Sequence, residues 1–206
     1  GRRTALVCSE TSPEALRTAL AGGTVWTKPA DIVVARAAAA RQISGQMALG
    51  STVGITDPGA LGDVLVGTAA ADFTRSNDWY AEFTVDIPHE GEWTVWGRQR
   101  YPAGTDQSFA FVPQGEAVTF TGNQILGNCG RNEGKWHWAG RGGGVSTVPP
   151  GERISLHLPQ GPFTFRLHPR ECGPSAPGNP RLDVIVLVDD PLLLPSDELL
   201  SPPPAR

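Results

Sequence analysis

The stretch that most constrains this chain runs from Trp79 to Tyr101. Ala81, Phe83, Val85 and Ile87 alternate with Tyr80, Glu82, Thr84 and Asp86, a period of two that gives a strand one buried and one solvated face. Pro88-His89-Glu90-Gly91 interrupts the run. After it Trp93, Val95 and Gly97 alternate with Glu92, Thr94, Trp96 and Arg98, which predicts a second strand returning antiparallel to the first as a hairpin. Two half-buried strands need a larger sheet and an apolar layer beneath it.

Composition agrees with many short strands. The chain has 206 residues, 39% of them hydrophobic, with 25 glycines and 19 prolines, which suits tight turns better than a helical bundle. No apolar run is long enough to span a membrane. Net charge is -4 and the basic residues are scattered, so the footprint of a nucleic-acid binder is missing. Gly1 is not an initiator methionine, which predicts a processed or excised piece of a longer protein.

Taken in order, Ser12-Pro13 starts a short helix that Gly22-Gly23 stops. Residues 1–31 are therefore expected to form a strand-helix-strand appendage. Residues 32–190 form the main β domain, and the proline-rich residues 191–206 form a tail that acts as a linker or clasp. Further strands are expected over 32–36, 63–66, 108–112, 116–121, 153–158, 163–167 and 182–188, the last of them buried on both faces. Recurrent glycines over 43–68 predict loops and short extended pieces. The expected core contains Phe83, Val85, Trp93, Val95, Ile154, Leu156, Phe165, Leu167, Val184 and Val186. The spacing of Cys8, Cys129 and Cys172 fits neither a zinc ribbon nor a redox pair. Cys129 and Cys172 lie in glycine- and proline-rich loops where a disulfide forms readily in an oxidising compartment, although sequence leaves the pairing open.

This order of motifs resembles the galactose-binding-like β-sandwich carbohydrate-binding modules. The residues that carry the resemblance are a proline-to-glycine turn before Glu92-Trp93-Thr94-Val95-Trp96-Gly97-Arg98, the Trp136-x-Trp138 loop, the Pro150-Gly151-Glu152 turn into an alternating strand, and the final Leu182-Asp183-Val184-Ile185-Val186-Leu187. The resemblance covers residues 32 to 190. It implies an all-β jelly-roll sandwich and a non-catalytic, glycan-binding protein that is secreted, on the cell surface or periplasmic. It also implies a site built by loops at one end or by an exposed sheet face. Many such modules hold a structural calcium with a Glu-Ala-Glu strand. Here the comparable residues are Val34-Ala35-Arg36-Ala37, so no metal or other cofactor is expected.

For a glycan site, the aromatics nearest the irregular loops are Tyr101, Trp136 and Trp138, with Arg100, Asp106, Arg131 and Asn179 as polar partners. A pyranose offers an apolar face to a ring and a rim of hydroxyls to planar hydrogen-bonding groups. The plainer reading of the Trp-x-Trp pair is a lid over the core. Catalysis has no support in the sequence: His89, His137, His157 and His168 lack metal-site spacing, no Gly-x-Ser-x-Gly occurs, and no two carboxylates are placed across a cleft. The alternative to a glycan-binding module is an assembly subunit that self-associates through strand edges and extended termini.

Overall fold

The computed structural model describes residues 29–68, 77–101, 108–120, 122–127, 134–141, 153–170 and 179–200. All of the appendage expected over 1–31 except residues 29–31 lies outside them, as do the Cys129 to Cys172 bridge, Asp106 and Arg131.

The described chain is an all-β sandwich, as the alternating pattern predicts. Its strands are β1 (Ile32–Arg36), β2 (Gln42–Ser44), β3 (Met47–Leu49), β4 (Leu65–Gly67), β5 (Tyr80–Ile87), β6 (Gly91–Arg100), β7 (Ser108–Pro113), β8 (Ile125–Gly127), β9 (His137–Ala139), β10 (Ile154–Leu158), β11 (Gly161–Pro169) and β12 (Arg181–Val188). A seven-stranded sheet runs β10-β6-β12-β4-β3, with β1 also on β12 and β9 also on β6. A five-stranded sheet runs β2-β5-β11-β7-β8. The alanine-rich residues after β1 close into a short 3-10 turn, Ala37–Ala39.

The expected hairpin between β5 and β6 does not form. β5 pairs with β2 and β11, whereas β6 pairs with β10, β12 and β9. A hairpin would put both apolar faces on the same side of one sheet and leave them to be covered from elsewhere. Crossing between sheets at residues 88–90 instead folds Phe83 and Ile87 into the same core as Trp93 and Val95, so each face buries the other. The step from β10 to β11 likewise changes sheet.

The strand expected over 116–121 is also absent from its described part, Glu116 to Phe120. There the backbone satisfies its hydrogen bonds through a side chain rather than a ladder. Gln124 Nε2 donates to the Ala117 carbonyl at 2.8 Å, and its Oε1 accepts from the Thr119 amide at 2.8 Å and hydroxyl at 3.0 Å. Phe120 takes a positive φ of 53°, which ends extended structure.

The main core lies between the sheets and includes Phe83, Trp93, Val95, Ile154, Phe165 and Leu167, with Val85 and Leu156 partly buried against it. Phe83 and Phe165 are cross-strand partners whose rings stack at 5.3 Å. A second cluster covers the outer face of the seven-stranded sheet, where Trp96, Trp138, Val184, Val186 and Val188 meet Leu61, Leu193 and Leu200. β12 serves both clusters and is buried along its whole length. Leu193 and Leu200, from the segment after β12, thus pack on this face of the sheet.

Candidate functional site

The outer face of the seven-stranded sheet gathers several of the aromatics and arginines singled out from the sequence, but they bond to Asp57, Asp197 and backbone carbonyls of the fold itself. Arg100, at the end of β6, donates from Nη1 to Asp57 Oδ1 at 2.6 Å and from Nε to the Gly134 carbonyl at 3.1 Å. Arg181 donates to the other oxygen of Asp57. Trp136 donates from Nε1 to the Pro58 carbonyl at 3.2 Å, and Trp138 donates from its Nε1 to Asp197 Oδ1 at 3.0 Å. The Arg98 guanidinium lies 4.7 Å from the Trp136 ring centre. Tyr101 is fully buried, edge-on to His137 at 4.9 Å, and Trp138 is nearly so. Of the three rings Trp136 alone keeps appreciable exposed surface. Asn179 is buried, its Nδ2 donating to the Gly67 carbonyl at 2.5 Å.

The centre of this network is Arg98, the arginine that follows the aromatic run of β6. It donates from Nη1 to Asp183 at 2.5 Å and grips Asp197 from Nε and Nη2 at 2.8 and 2.9 Å. Burial alone would lower the Arg98 pKa. The hydrogen bond to Asp197 and the charges of Asp183 and Asp197 outweigh it and raise the pKa. The hydrogen bond from Arg98 holds the Asp197 carboxyl below its ordinary value, whereas burial pushes Asp183 up. No sequence motif announces this network, because Asp57, Asp183 and Asp197 come from three distant segments.

A lateral cleft of about 470 Å³ opens between the two sheets. Phe111, Pro113, Ile154 and Leu156 form its apolar lining, with Glu116, Asn123, Gln124, Arg141, Arg153 and Ser155 as its polar groups. It exists because β10 is an edge strand: Leu156 faces inward opposite Trp93, yet is only partly covered. Arg153 is held firmly, donating to the Pro191 carbonyl and lying 4.8 Å over the Trp96 ring. The alternation of β10 was legible in the sequence. That its open edge would face the turn at Glu116 and the Asn123-Gln124 segment was not, since those are joined only by tertiary folding.

The outer face of the five-stranded sheet is polar and partly exposed. Arg166 donates to Glu82 at 2.8 Å, lies 4.1 Å over Tyr80, and stands beside the Thr84–Thr164 hydroxyl pair at 2.9 Å. His168 is buried beneath Tyr80 and Phe120. Burial, with the nearby charge of Arg166, lowers its pKa to about 4, so it is neutral at pH 7.

The calcium that the sequence resemblance would suggest does not fit the residues present. Arg36 stands where a carboxylate would be wanted, and its Nη1 donates to the Leu61 carbonyl at 3.0 Å. A guanidinium there repels a divalent cation and offers it no oxygen.

No protein-family model matches the chain, and no curated protein matches it. Many solved structures are similar to it, among them the following three. A family 35 carbohydrate binding module from Clostridium thermocellum is 16% identical, with a TM-score of 0.49 over 76% of this chain and 97% of that one. A CBM35 from Cellvibrio japonicus Abf62 is 14% identical, with a TM-score of 0.46 over 76% of this chain and 92% of that one. The C-terminal CBM6 of LamC, from Zobellia galactanivorans, is 12% identical, with a TM-score of 0.45 over 76% of this chain and 98% of that one.

Proposed function

We propose that this chain is a non-catalytic glycan-binding module that acts outside the cell, where polysaccharides are found, and takes a short stretch of glycan into the lateral cleft. The observation that carries this reading is the make-up of the cleft. Its apolar lining of Phe111, Ile154 and Leu156 suits the C–H face of a sugar ring. Its guanidinium, amide, hydroxyl and carboxylate groups suit the hydroxyl rim. A volume of about 470 Å³ falls within the range of roughly 300–1,000 Å³ usual for small-ligand sites. The order of motifs along the sequence supports the same reading.

Glu116 is the one carboxylate among the described residues that line the cleft. A glycosidase of the usual kind needs two, about 5 to 9.5 Å apart across the scissile bond. The described lining therefore suits holding a glycan rather than cleaving it.

The test is a glycan array probed with the full chain, followed by an assay for new reducing ends on every glycan retained. Retention of at least one glycan class without new reducing ends supports the proposal. Retention of none overturns the binding reading, and release of reducing ends overturns the non-catalytic one.

A further inference from the structure

We propose a second, separate site: Asp31, His89 and Asp189 form a three-ligand seat for one small divalent transition cation, with Zn²⁺ the best fit. Their ligand atoms all lie within 4.8 Å of one another. His89 Nε2 is 3.1 Å from Asp31 Oδ2 and 3.0 Å from Asp189 Oδ2. Metal–ligand bonds of about 2.0–2.2 Å set neighbouring ligands about 3.0–3.4 Å apart at octahedral or tetrahedral angles, a range that takes in both His89–carboxylate separations.

The orientation of the imidazole is a separate observation. His89 Nδ1 lies 3.0 Å from the Glu90 carbonyl, an acceptor, which favours the tautomer protonated at Nδ1. Nε2 is then the nitrogen that faces the two carboxylates. A neutral ring would point its lone pair at two anionic oxygens. In that tautomer a cation shared by Nε2 and the two carboxylate oxygens makes the arrangement favourable. A ring nitrogen bonded to a backbone carbonyl, with the other turned to the metal, is the arrangement that orients metal-ligating histidines.

The seat is also held in place by the fold. Asp31 immediately precedes β1 and Asp189 immediately follows β12, two strands paired from Ile32 opposite Val188. The Asp31 amide donates to Asp189 Oδ1 at 2.7 Å, which aims that carboxylate. His89 sits in the crossing between the sheets with its ring 5.1 Å from that of Trp93. A cation here would join the first described strand, the last strand and the crossing. One nitrogen and two carboxylates suit Zn²⁺; Ca²⁺ prefers six or more oxygens.

The experiment is calorimetric titration of the chelator-treated full chain with ZnCl₂ and, separately, CaCl₂. The variants are His89→Gln, Asp189→Asn and Asp31→Asn, with His157→Ala as control. The control matters because His157 also faces two carboxylates, Glu90 and Glu92, on the exposed surface. The expected result is one Zn²⁺ per chain, affinity at least about tenfold weaker in each ligand variant, and little change in His157→Ala. The His89 Nε2 nitrogen resonance should shift on adding zinc. If His89→Gln does not fold, the two asparagine variants carry the test. No zinc binding by the wild-type chain, or binding lost in His157→Ala and kept in the three ligand variants, overturns the proposal and assigns His89 a proton-mediated role.

Discussion

Arg98 and Asp183 meet on the outer face of the seven-stranded sheet, Nη1 to Oδ2 at 2.5 Å, with side chains only 3% and 0% exposed. A slip in register between Leu182 and Val184 makes the meeting possible. Leu182 and Ile185 join the inner core and Val184 the outer cluster, so the irregularity turns Asp183 and Val184 to the same side. Removing one partner strands the other charge in a dry site. Arg98→Ala is expected to lower unfolding free energy by about 3–5 kcal/mol. Asp197, 53% exposed, is a solvated partner, and Asp197→Ala should cost about 1 kcal/mol or less. Urea unfolding of both variants checks this, and equal losses would contradict it.

Gly97, in β6, packs against the facing sheet with no room for a side chain. A methyl group placed there would lie 2.7 Å from Leu126 Cδ2 of the facing sheet, 3.2 Å from Leu182 Cδ1 and 3.3 Å from Ile185 Cδ1. Gly97→Ala is expected to destabilise the fold by about 1–3 kcal/mol through overpacking. Thermal melting measures it, and an unchanged or raised Tm would show that the leucines yield without cost.

His168 makes stability depend on pH. Its folded pKa is depressed to about 4 by burial and the charge of Arg166, from an ordinary 6.5. Between those values the unfolded chain takes up the proton that the folded one refuses. The contribution is complete above pH 6.5 and is lost as pH falls through about 4, by about 3 kcal/mol. Urea midpoints at pH 7 and 4.5 should therefore differ less for His168→Leu than for the parent chain. An identical pH dependence in both would remove His168 as the cause.

The longer strands and the inner core were legible because alternation survives whichever partner a strand finds, whereas the three-residue β2, β3, β8 and β9 are too short to show a period and the expected strand over 116–121 does not form in its described part. Phe83, Trp93, Val95, Phe165 and Leu167 are buried where the period of two puts them. Partner choice was not legible. The pattern of β5 and β6 is the same for a hairpin and for a crossing between sheets, and only the need to bury both faces at once decides between them. Trp96 shows the same limit. Its place on the second face of β6 follows from counting residues, but the cover over it comes from Leu61, Leu193 and Leu200, which are remote in sequence. For the site, Arg100, Trp136 and Trp138 do come together, yet around Asp57 and Asp197, carboxylates that stand in no motif. The cleft beside β10 escaped the sequence entirely, since an open sheet edge is a property of neighbours.

Glycan recognition by that cleft is tested most directly by calorimetric titration of the array-selected oligosaccharide into the parent chain and into Arg141→Ala, Asn123→Ala and Trp136→Ala. Asn123 is exposed and Arg141 partly so, so truncating them should leave Tm nearly unchanged. Loss of a central contact typically costs about 2 kcal/mol or more, roughly thirtyfold in Kd. The account predicts that loss for Arg141→Ala, a smaller one for Asn123→Ala, and a Kd for Trp136→Ala close to that of the parent. Unchanged affinity in both cleft variants, with binding abolished in a folded Trp136→Ala, would contradict it and return the site to the Trp-x-Trp segment.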